Sequence, residues 1–394
     1  MKKLILILLV CLAFACENII PELPAENEIL DGPLKGLNTS EQAQFLAGDF
    51  AFNDEVFSSG VGLGPTFVAT SCGSCHAGDG KGHPFTTLTR FGQTAPNTPP
   101  NLHIGGPQLQ NRAIPGYTPE ILPEGTPFMK LTPPAVTGLG FLSALTDEQI
   151  LTNADPYDLD GDGISGVPNY VNPPAYFVPQ RFHQDAHGRY IGRFGKKAAA
   201  IDLHHQTVSA YNQDMGITST FEPVDPFSGL AVDPEVSDQT IRDVVFYLRT
   251  LKAPIQRSQN DQQIIQGKTL FSQIQCGDCH TSEWTTLTSD IVALSNKTFF
   301  PYTDLLLHDM GTGLDDGVTE GSAETFEWRT PPLWGLGLSP NSQGGSYFLM
   351  HDGRASTIEE AILQHGGEAN TSRTKFESLS AEDKTALIRF LESL

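Results

Sequence analysis

The chain has 394 residues, including 38 Gly and 28 Pro, and a formal net charge of -22 at pH 7. This length allows two or three domains that each bury a core. The negative charge excludes nucleic acid as a partner, because its phosphates would repel the protein. The many Gly and Pro residues predict short elements joined by long loops.

The N-terminus has the pattern of a secretion signal. Two Lys residues precede an apolar run at residues 4–10, and small residues then lead to Cys16. The run is too short to span a bilayer. A Cys in this position resembles a bacterial lipoprotein processing site, where Cys16 becomes the lipidated first residue. We therefore predict a signal peptide over residues 1–15 and a periplasmic or outer-membrane-attached lipoprotein of a Gram-negative bacterium. Its membrane contact would be the lipid anchor only; cleavage without lipidation is the alternative.

A polar segment with scattered Pro and Gly follows the predicted anchor. Its composition predicts a flexible tether over residues 16–38. Thr39 is the predicted N-cap of the first helix, and Gln42 would complete a capping box. The folded body is therefore expected to begin at residue 39.

The pattern Cys-x-x-Cys-His occurs twice, in a first motif at residues 72–76 and a second motif at residues 276–280. Its members are Cys72, Cys75, His76, Cys276, Cys279 and His280. Four thiolates could form one zinc site, and a single pair could be a redox dithiol, but neither chemistry needs the adjacent His. Covalent haem attachment needs two thiols for the vinyl groups and a neighbouring His for the iron. The His, the export signal and the repetition favour two covalently bound haem c groups, with His76 and His280 as proximal ligands.

The two halves of the chain also end alike. Amphipathic helix patterns close at Leu251 and at Leu394, each after one Cys-x-x-Cys-His motif. We predict an N-terminal haem c domain over residues 39–255, enlarged by an insertion, and a C-terminal haem c domain over residues 256–394. The predicted fold is mainly α: two cytochrome c-like helical domains, each with one covalent haem, and long loops.

A candidate sixth ligand for the second iron is His365. Ser356 and Glu359 predict a capping box for a helix that runs to Gln364, so that His365 projects from its last turn. A lone His at a helix C-terminus is equally explained as a surface residue stabilised by the helix dipole. Met310 competes for the same iron, and packing in the core is its alternative role.

The run "SYFLMHDGRASTIEEAILQHGG" is similar to a segment of the bacterial dihaem cytochrome c peroxidases and of the related enzyme that matures methylamine dehydrogenase. In those enzymes the residue at the position of His365 is the distal ligand of the C-terminal haem. The resemblance therefore implies that His280 and His365 together ligate the second iron.

A closer resemblance is to the dihaem oxidoreductase family, also called thiol-oxidoreductase-like proteins. It rests on segments that include "GLGPTFVATSCGSCH", "PPAVTGLGFLSALTDEQI", "GRFGKKA", "LLLHDMGTGL", "EWRTPPLWGLG" and "HDGRA", spread over residues 39–394. One departure is Lys196, where the family pattern leads us to expect an aromatic residue. The resemblance predicts the architecture of the protein more closely than the reaction that it catalyses.

Kinship with the peroxidases implies reduction of hydrogen peroxide, with electrons relayed from the C-terminal to the N-terminal haem. A small periplasmic cytochrome or a cupredoxin would be the electron donor. Two alternatives stay open: oxidation of an organic or thiol substrate by a haem-bound oxidant, and electron transfer without catalysis.

The first haem has no assigned distal ligand. The candidates are His103, His183, His187, His204, His205 and Met215. If none of them binds, the iron is open to peroxide, and a side chain near its open face would move the peroxide proton. Arg193, Glu148 and His183 are the candidate catalytic residues.

An acidic loop resembles the start of a calcium-binding loop. Asp158, Asp160 and Asp162 stand at alternate positions before a Gly. The bidentate Glu at the twelfth position is missing, so Asp155 or Asn169 would have to help. A Ca²⁺ site is one interpretation, and a surface loop rich in Asx turns is the other.

Two Trp residues, Trp328 and Trp334, flank the segment "RTPPL". A Trp between two haems can carry electrons, but core packing explains a Trp in such a turn equally well.

Overall fold

The structure is a computed structural model that describes residues 24–97, 107–179 and 182–394. Helices in these ranges are α1 Thr39–Asp49, α2 Leu139–Ser143, α3 Asp147–Leu151, α4 Leu203–Met215, α5 Asp238–Thr250, α6 Gln262–Gln273, α7 Ser339–Ser342, α8 Ile358–Leu363, α9 Asn370–Glu377 and α10 Ala381–Ser393. Strands are β1 Thr66–Phe67, β2 Leu88–Phe91, β3 Arg112–Ala113, β4 Phe128–Leu131, β5 Tyr170–Val171, β6 Tyr190–Ile191, β7 Trp284–Thr285, β8 Thr298–Phe299, β9 Leu307–Asp309 and β10 Glu327–Arg329.

The strands form only small antiparallel pairs: β1 with β3, β2 with β4, β5 with β6, β7 with β8, and β9 with β10. Each strand is two to four residues long. Helices and long loops therefore dominate the described ranges, which confirms the predicted mainly helical class with long loops.

Two helix pairs repeat the same packing in the two halves. α1 packs on α5, and α6 packs on α10. A Cβ atom on Gly48 would lie 2.1 Å from the carbonyl oxygen of Asp243, and one on Gly267 would lie 2.1 Å from that of Ala386. Each glycine thus allows a helix approach that a side chain would block. The structure therefore contains the internal repeat that the two similar helix endings predicted.

Each repeated helix pair also places an aromatic ring behind a motif histidine. Phe52 and Phe271 lie four residues after Gly48 and Gly267. The ring of Phe52 is centred 5.8 Å from that of His76, and the ring of Phe271 is 6.3 Å from that of His280. Both motif histidines therefore have an equivalent aromatic neighbour beside the repeated helix pair.

The first helix begins one residue earlier than predicted. Its N-cap is Asn38, whose side chain accepts hydrogen bonds from the backbone N–H groups of Ser40 and Glu41. The Glu41 carboxylate in turn accepts the Asn38 backbone N–H at 2.8 Å. The prediction of Thr39 was wrong because Asn38 and Glu41 satisfy the same capping-box spacing as Thr39 and Gln42.

Part of the predicted tether belongs to the folded body. Leu30, Leu34 and Leu37 are buried. The backbone N–H of Leu34 donates to the carbonyl of Thr250 at 2.8 Å, so this segment lies along the end of α5. The composition of the segment did not predict this contact. Three spaced leucines in a polar segment pack only where another part of the protein provides an apolar surface. The predicted signal peptide, Cys16 and the beginning of the predicted tether lie outside the described residues.

The largest hydrophobic cluster draws on both predicted domains. It includes Leu142, Tyr247 and Leu251 from the first, and Leu294 and Leu306 from the second. The two halves therefore share apolar packing across the predicted boundary near residue 255. Among the described helices, none has both the length and the apolar character that a membrane span requires.

Candidate functional site

Both Cys-x-x-Cys-His motifs face a single cavity of about 500 Å³. Its wall includes Cys72, Cys75, His76, Cys276, Cys279 and His280. The remaining wall is largely apolar and is supplied by helices and loops of both halves. The two motifs, which are 204 positions apart in the chain (Cys72 to Cys276), thus meet around one space.

The first motif holds its histidine in one tautomer. Nδ1 of His76 lies 2.9 Å from the carbonyl oxygen of Pro134. A carbonyl only accepts, so Nδ1 carries the proton and Nε2 keeps a lone pair. Burial lowers the pKa of His76 to about 4, and the ring is therefore neutral. A neutral imidazole with a free Nε2 is the form that binds a metal.

The second motif repeats this arrangement. Nδ1 of His280 lies 2.9 Å from the carbonyl oxygen of Tyr302. Burial again lowers the pKa, to about 4. Both motifs are therefore preorganised in the same way to offer Nε2 to a metal ion.

The cysteines do not form a zinc site. All four are free and half-buried, and burial raises the pKa of Cys72 and of Cys276 to about 12. In residues 24–97, 107–179 and 182–394, the one group of potential ligand side chains that converge is Asp155, Asp158 and Asp160. Because a four-Cys zinc site needs converging thiolates, this geometry rules that interpretation out for the two motifs together.

Helix α8 begins one residue later than predicted. The hydroxyl of Thr357 accepts the backbone N–H of Glu360 at 3.0 Å, which makes Thr357 the N-cap. The prediction of Ser356 with Glu359 was wrong by one residue, because the neighbouring pair has the same spacing. The helix ends at Leu363, and His365 lies just beyond it.

His365 lies in the cavity wall on the side of the second motif. Its Nδ1 is 2.8 Å from the carbonyl oxygen of Ala361, so its Nε2 is also free. Besides burial, a positive charge on His365 would lower the pKa of His280 further. Met310 lines the same cavity and packs against the cluster of Met129 and Leu314. The structure thus brings both candidate ligands to the cavity, and the free Nε2 favours His365.

Replacing His365 by Ala is expected to convert one haem of the ferric protein from low spin to high spin, because it removes a strong-field ligand. The visible spectrum and EPR of the purified holoprotein measure this change. The matched control is Met310→Ala, which should leave the spin state as in the wild type. High-spin haem in the Met310 variant together with an unchanged His365 variant would assign the ligand to Met310 instead.

Sequence analysis missed His308, which forms a buried network beside the second motif. Its Nε2 lies 2.8 Å from a carboxylate oxygen of Asp304, and its Nδ1 lies 2.7 Å from one of Glu368. Nδ1 is also 3.6 Å from the sulfur of Cys279. Burial alone would lower the pKa of His308, but these partners outweigh it and raise the pKa well above 6.5. A charged imidazolium therefore stands between two carboxylates at the cavity wall.

Only one of the three candidate catalytic residues reaches the cavity. Arg193 lines the wall, but its guanidinium is already bound to Asp147 and to the carbonyl oxygen of Leu145. Glu148 is exposed on α3 and does not line the cavity. His183 is exposed as well, and its backbone N–H donates to Asp147. The prediction that Glu148 and His183 lie in the cavity is therefore corrected: Glu148 lies on the exposed face of α3, and His183 lies exposed in a loop.

Asp214, at the end of α4, is a second residue that sequence analysis missed. Its backbone carbonyl accepts the N–H groups of Val68 and Ala69 at 2.7 and 3.0 Å, shortly before the first motif. Its half-buried carboxylate lines the cavity and has no hydrogen-bond partner among the described residues. Burial raises the pKa of Asp214 to about 7, although the charge of Arg90 opposes this. One sequence pattern could have pointed to Asp214: its spacing from Gln206 and Ala210 places the three residues on one face of α4.

The other candidate ligands of the first iron lie in different surroundings. His187 is exposed, His204 is not part of the cavity wall, and His103 lies outside the described residues. His205 lines the cavity, but its Nδ1 accepts the backbone N–H of Ile201 at 3.3 Å, so that Nε2 carries the proton. Met215 is buried in the wall within a hydrophobic cluster.

The acidic loop brings together a different set of carboxylates from the predicted one. Oxygens of Asp155, Asp158 and Asp160 lie within 4.8 Å of one another. Asp162 is not in this group, and its carboxylate accepts the N–H of Ile164. The side chain of Asn169 is buried and bonded to backbone groups elsewhere. Calcium binding stays a prediction, with Asp155 in the place of Asp162.

The two tryptophans are both buried and both line the cavity. Trp328 stacks on His351 with ring centres 3.7 Å apart, and Nζ of Lys197 lies 4.1 Å from the centre of the Trp328 ring. Trp334 packs against Phe299, at 6.0 Å between ring centres. Each Trp thus packs in the core and forms part of the cavity wall.

Two neutral imidazoles that keep Nε2 free at one shared cavity are suited to bind metal ions, and the thiol pair beside each is suited to attach a haem. A family model described as "Di-haem oxidoreductase, putative peroxidase" matches residues 129–394. The chain belongs to this family. The second motif and His365 lie within the match, while the first motif precedes it.

Solved structures give more distant likenesses. Hydrazine synthase from Kuenenia stuttgartiensis is similar over 96% of this chain and 95% of that chain, with 14% identity and a TM-score of 0.41. A MauG-like protein associated with microbial copper homeostasis is similar over 66% of this chain and 88% of that one, with 15% identity and a TM-score of 0.31. No curated protein matches the chain.

Proposed function

We propose that the protein is an exported di-haem peroxidase that reduces hydrogen peroxide: H₂O₂ + 2 H⁺ + 2 e⁻ gives 2 H₂O. Both haems are bound covalently, through thioether bonds from the cysteines of the two motifs. Electrons enter at the second site, and peroxide binds at the first. The observation that carries this proposal is Asp214, a carboxylate without a hydrogen-bond partner among the described residues, placed in the cavity wall beside the first motif.

The residues present fit a haem at both positions. His76 and His280 are neutral and keep Nε2 free, and a pair of neutral thiols lies beside each in a largely apolar wall. When bound, haem supplies an iron that takes up peroxide and exchanges electrons with it. The chain itself must exclude bulk water, hold the irons and move protons.

The two sites differ in the further ligands that the chain offers besides the motif histidine. At the second site His365 has a free Nε2 and would hold the iron together with His280, which would suit a haem that relays electrons. At the first site His205 has its proton on Nε2, so it cannot ligate in its neutral form. A position left open by the protein is the one at which a small oxidant can bind.

Asp214 is suited to move the peroxide proton. A pKa of about 7 means that the carboxylate and the carboxylic acid are both populated near neutral pH. The ionised form can take a proton from one peroxide oxygen, and the acid can return it to the other as the O–O bond breaks. His205, with a proton on Nε2, is a second donor in the same wall.

The electron donor is proposed to be a small periplasmic cytochrome or a cupredoxin. The signal-like N-terminus and Cys16 support export and attachment by a lipid, and the net charge of -22 would favour a basic donor. The same charge argues against nucleic acid as a partner.

The test is to mix the half-reduced holoprotein with hydrogen peroxide. We expect a high-spin signal that changes on adding peroxide, and consumption of two electrons from a reduced donor per peroxide. Two low-spin haems that do not respond to peroxide would contradict the proposal and favour an electron carrier, with Met215 the first ligand to examine. Peroxide consumption that depends on an organic or thiol compound would favour an oxidase of that compound.

A further inference from the structure

Three cations of the cavity wall on the side of the first motif have no ionic partner among the described residues. Lys81, Lys196 and Arg329 all line the cavity, and no carboxylate within the described residues forms an ion pair with any of them. The two lysine ammonium groups also have no hydrogen-bond partner in the described part of the chain. A charge enclosed without a partner is costly, so such a group calls for an explanation.

Two other basic residues of the same wall have ionic partners. Arg90 forms an ion pair with Glu320 at 2.5 Å, and Arg193 forms one with Asp147. Arg373, whose charge acts on His365 of the second site, forms no ion pair among the described residues but donates to Oδ1 of Asn370. Lys81, Lys196 and Arg329 are therefore set apart by their place beside the first motif and by their lack of a carboxylate partner.

The three cations are held near one another. The backbone N–H of Arg329 donates to the carbonyl of Lys196 at 3.0 Å, and its Nε donates to the carbonyl of Gly195 at 2.9 Å. Burial lowers the pKa of Lys196 to about 7, and repulsion from Lys81 and Arg329 lowers it further. Burial also lowers the pKa of Lys81, to about 8. Like charges that repel one another would each attract an anion placed between them.

The cluster lies on the side of the first motif. Lys81 follows His76 by five residues. Besides burial, the charge of Lys196 lowers the pKa of His76, so the ammonium group and the imidazole share one neighbourhood. The carboxylates that would otherwise balance Lys196 and Arg329 are engaged elsewhere, Asp352 with Arg354 and Asp304 with His308.

We propose that Lys81, Lys196 and Arg329 form a carboxylate-binding site in the cavity wall beside the first motif. The carboxylate is a propionate of the haem at that motif, and a free carboxylate substrate is the other possible source. Arg329 can bind it with two N–H groups, while the lysines add point charges. Lys196, unexpected in the family pattern, thereby has a role specific to this chain.

The test compares Lys196→Met and Lys81→Met with the wild-type holoprotein. If a haem propionate is bound, both variants should lower the midpoint potential of one haem, because loss of a positive charge favours the ferric state. Lys196→Arg should keep the wild-type potential. The control is Lys130→Met, which removes an exposed lysine outside the cavity wall.

Succinate is the probe for a free carboxylate. Saturable binding to the wild type by calorimetry, lost in both Met variants while the potentials stay unchanged, would assign the site to a free substrate. Unchanged potentials without succinate binding would overturn the proposal. The proposal rests on haem binding and not on peroxide reduction, so a protein without peroxidase activity still tests it. Haem content by pyridine haemochrome and far-UV circular dichroism identify a variant that fails to fold, and Lys81→Met then serves alone.

Discussion

Replacing Asp214 by Asn is expected to lower kcat/KM for hydrogen peroxide by about 100-fold or more, within the range that a positioned acid or base contributes. Asn has nearly the same shape as Asp but cannot take up a proton. In the wild type the rate should rise as the pH increases through about 7, because Asp214 must be ionised to accept the first proton. The Asn variant should lose this dependence. Steady-state kinetics between pH 5 and pH 9, chosen to span roughly two units either side, measure both effects.

The matched control is Glu222→Gln. Glu222 is also half-buried, and burial raises its pKa, but it does not line the cavity. This variant should keep the wild-type rate and pH profile. An Asp214→Asn variant with normal haem content that also keeps the wild-type rate would remove Asp214 from the reaction.

Replacing His308 by Leu is expected to lower the free energy of unfolding by about 3–5 kcal/mol, the range found when one partner of a buried ion pair is removed. The carboxylate of Asp304 is 1% exposed and would lose its charged partner. Glu368 would lose its contact with Nδ1 at the same time. Urea denaturation of the holoprotein at pH 6 to 7, near the ordinary pKa of His of about 6.5, measures the change.

The pH dependence of the His308 effect has a definite sign. The pKa of His308 is higher in the folded state than its unfolded value of 6.5. Its contribution is therefore fully present below pH 6.5 and is lost as the pH rises through the folded pKa. The difference between wild type and variant should shrink in that alkaline range. His187→Leu, at an exposed position, is the control and should change little.

The double variant His308→Leu with Asp304→Leu separates two explanations. If the unpaired carboxylate causes most of the loss, then removing it as well should recover part of the stability. Additive losses in the double variant would show that packing, and not the charge, is what His308 contributes.

Local patterns predicted the parts of this protein that depend on neighbouring residues. The two Cys-x-x-Cys-His motifs are complete within five residues each, and the helix endings at Leu251 and Leu394 revealed the repeat. The predicted family and the mainly helical class are confirmed. Both predicted N-caps missed by one residue because two adjacent pairs satisfy the capping-box spacing.

Contacts between distant segments could not be predicted in the same way. The leucines at positions 30, 34 and 37 look like part of a polar linker until the end of α5 is placed beside them. The residue types of Glu148 and His183 suit acid–base chemistry, but the packing of α3 and of the loop that contains His183 leaves both exposed. The ligand role of His365 stays a prediction that the geometry favours.

The sequence by itself determined the chemistry: two thiol pairs with adjacent histidines, an acidic surface and a repeated helical frame. Only the tertiary structure decided which charges meet at the cavity. Asp214 is 142 residues after Cys72 in the chain, and Glu368 is 60 residues after His308. Burial, hydrogen bonding and charge pairing depend on distances in space and not on distances along the chain. The loops that bring these groups together have no sequence periodicity, so their conformation could not be predicted from the sequence.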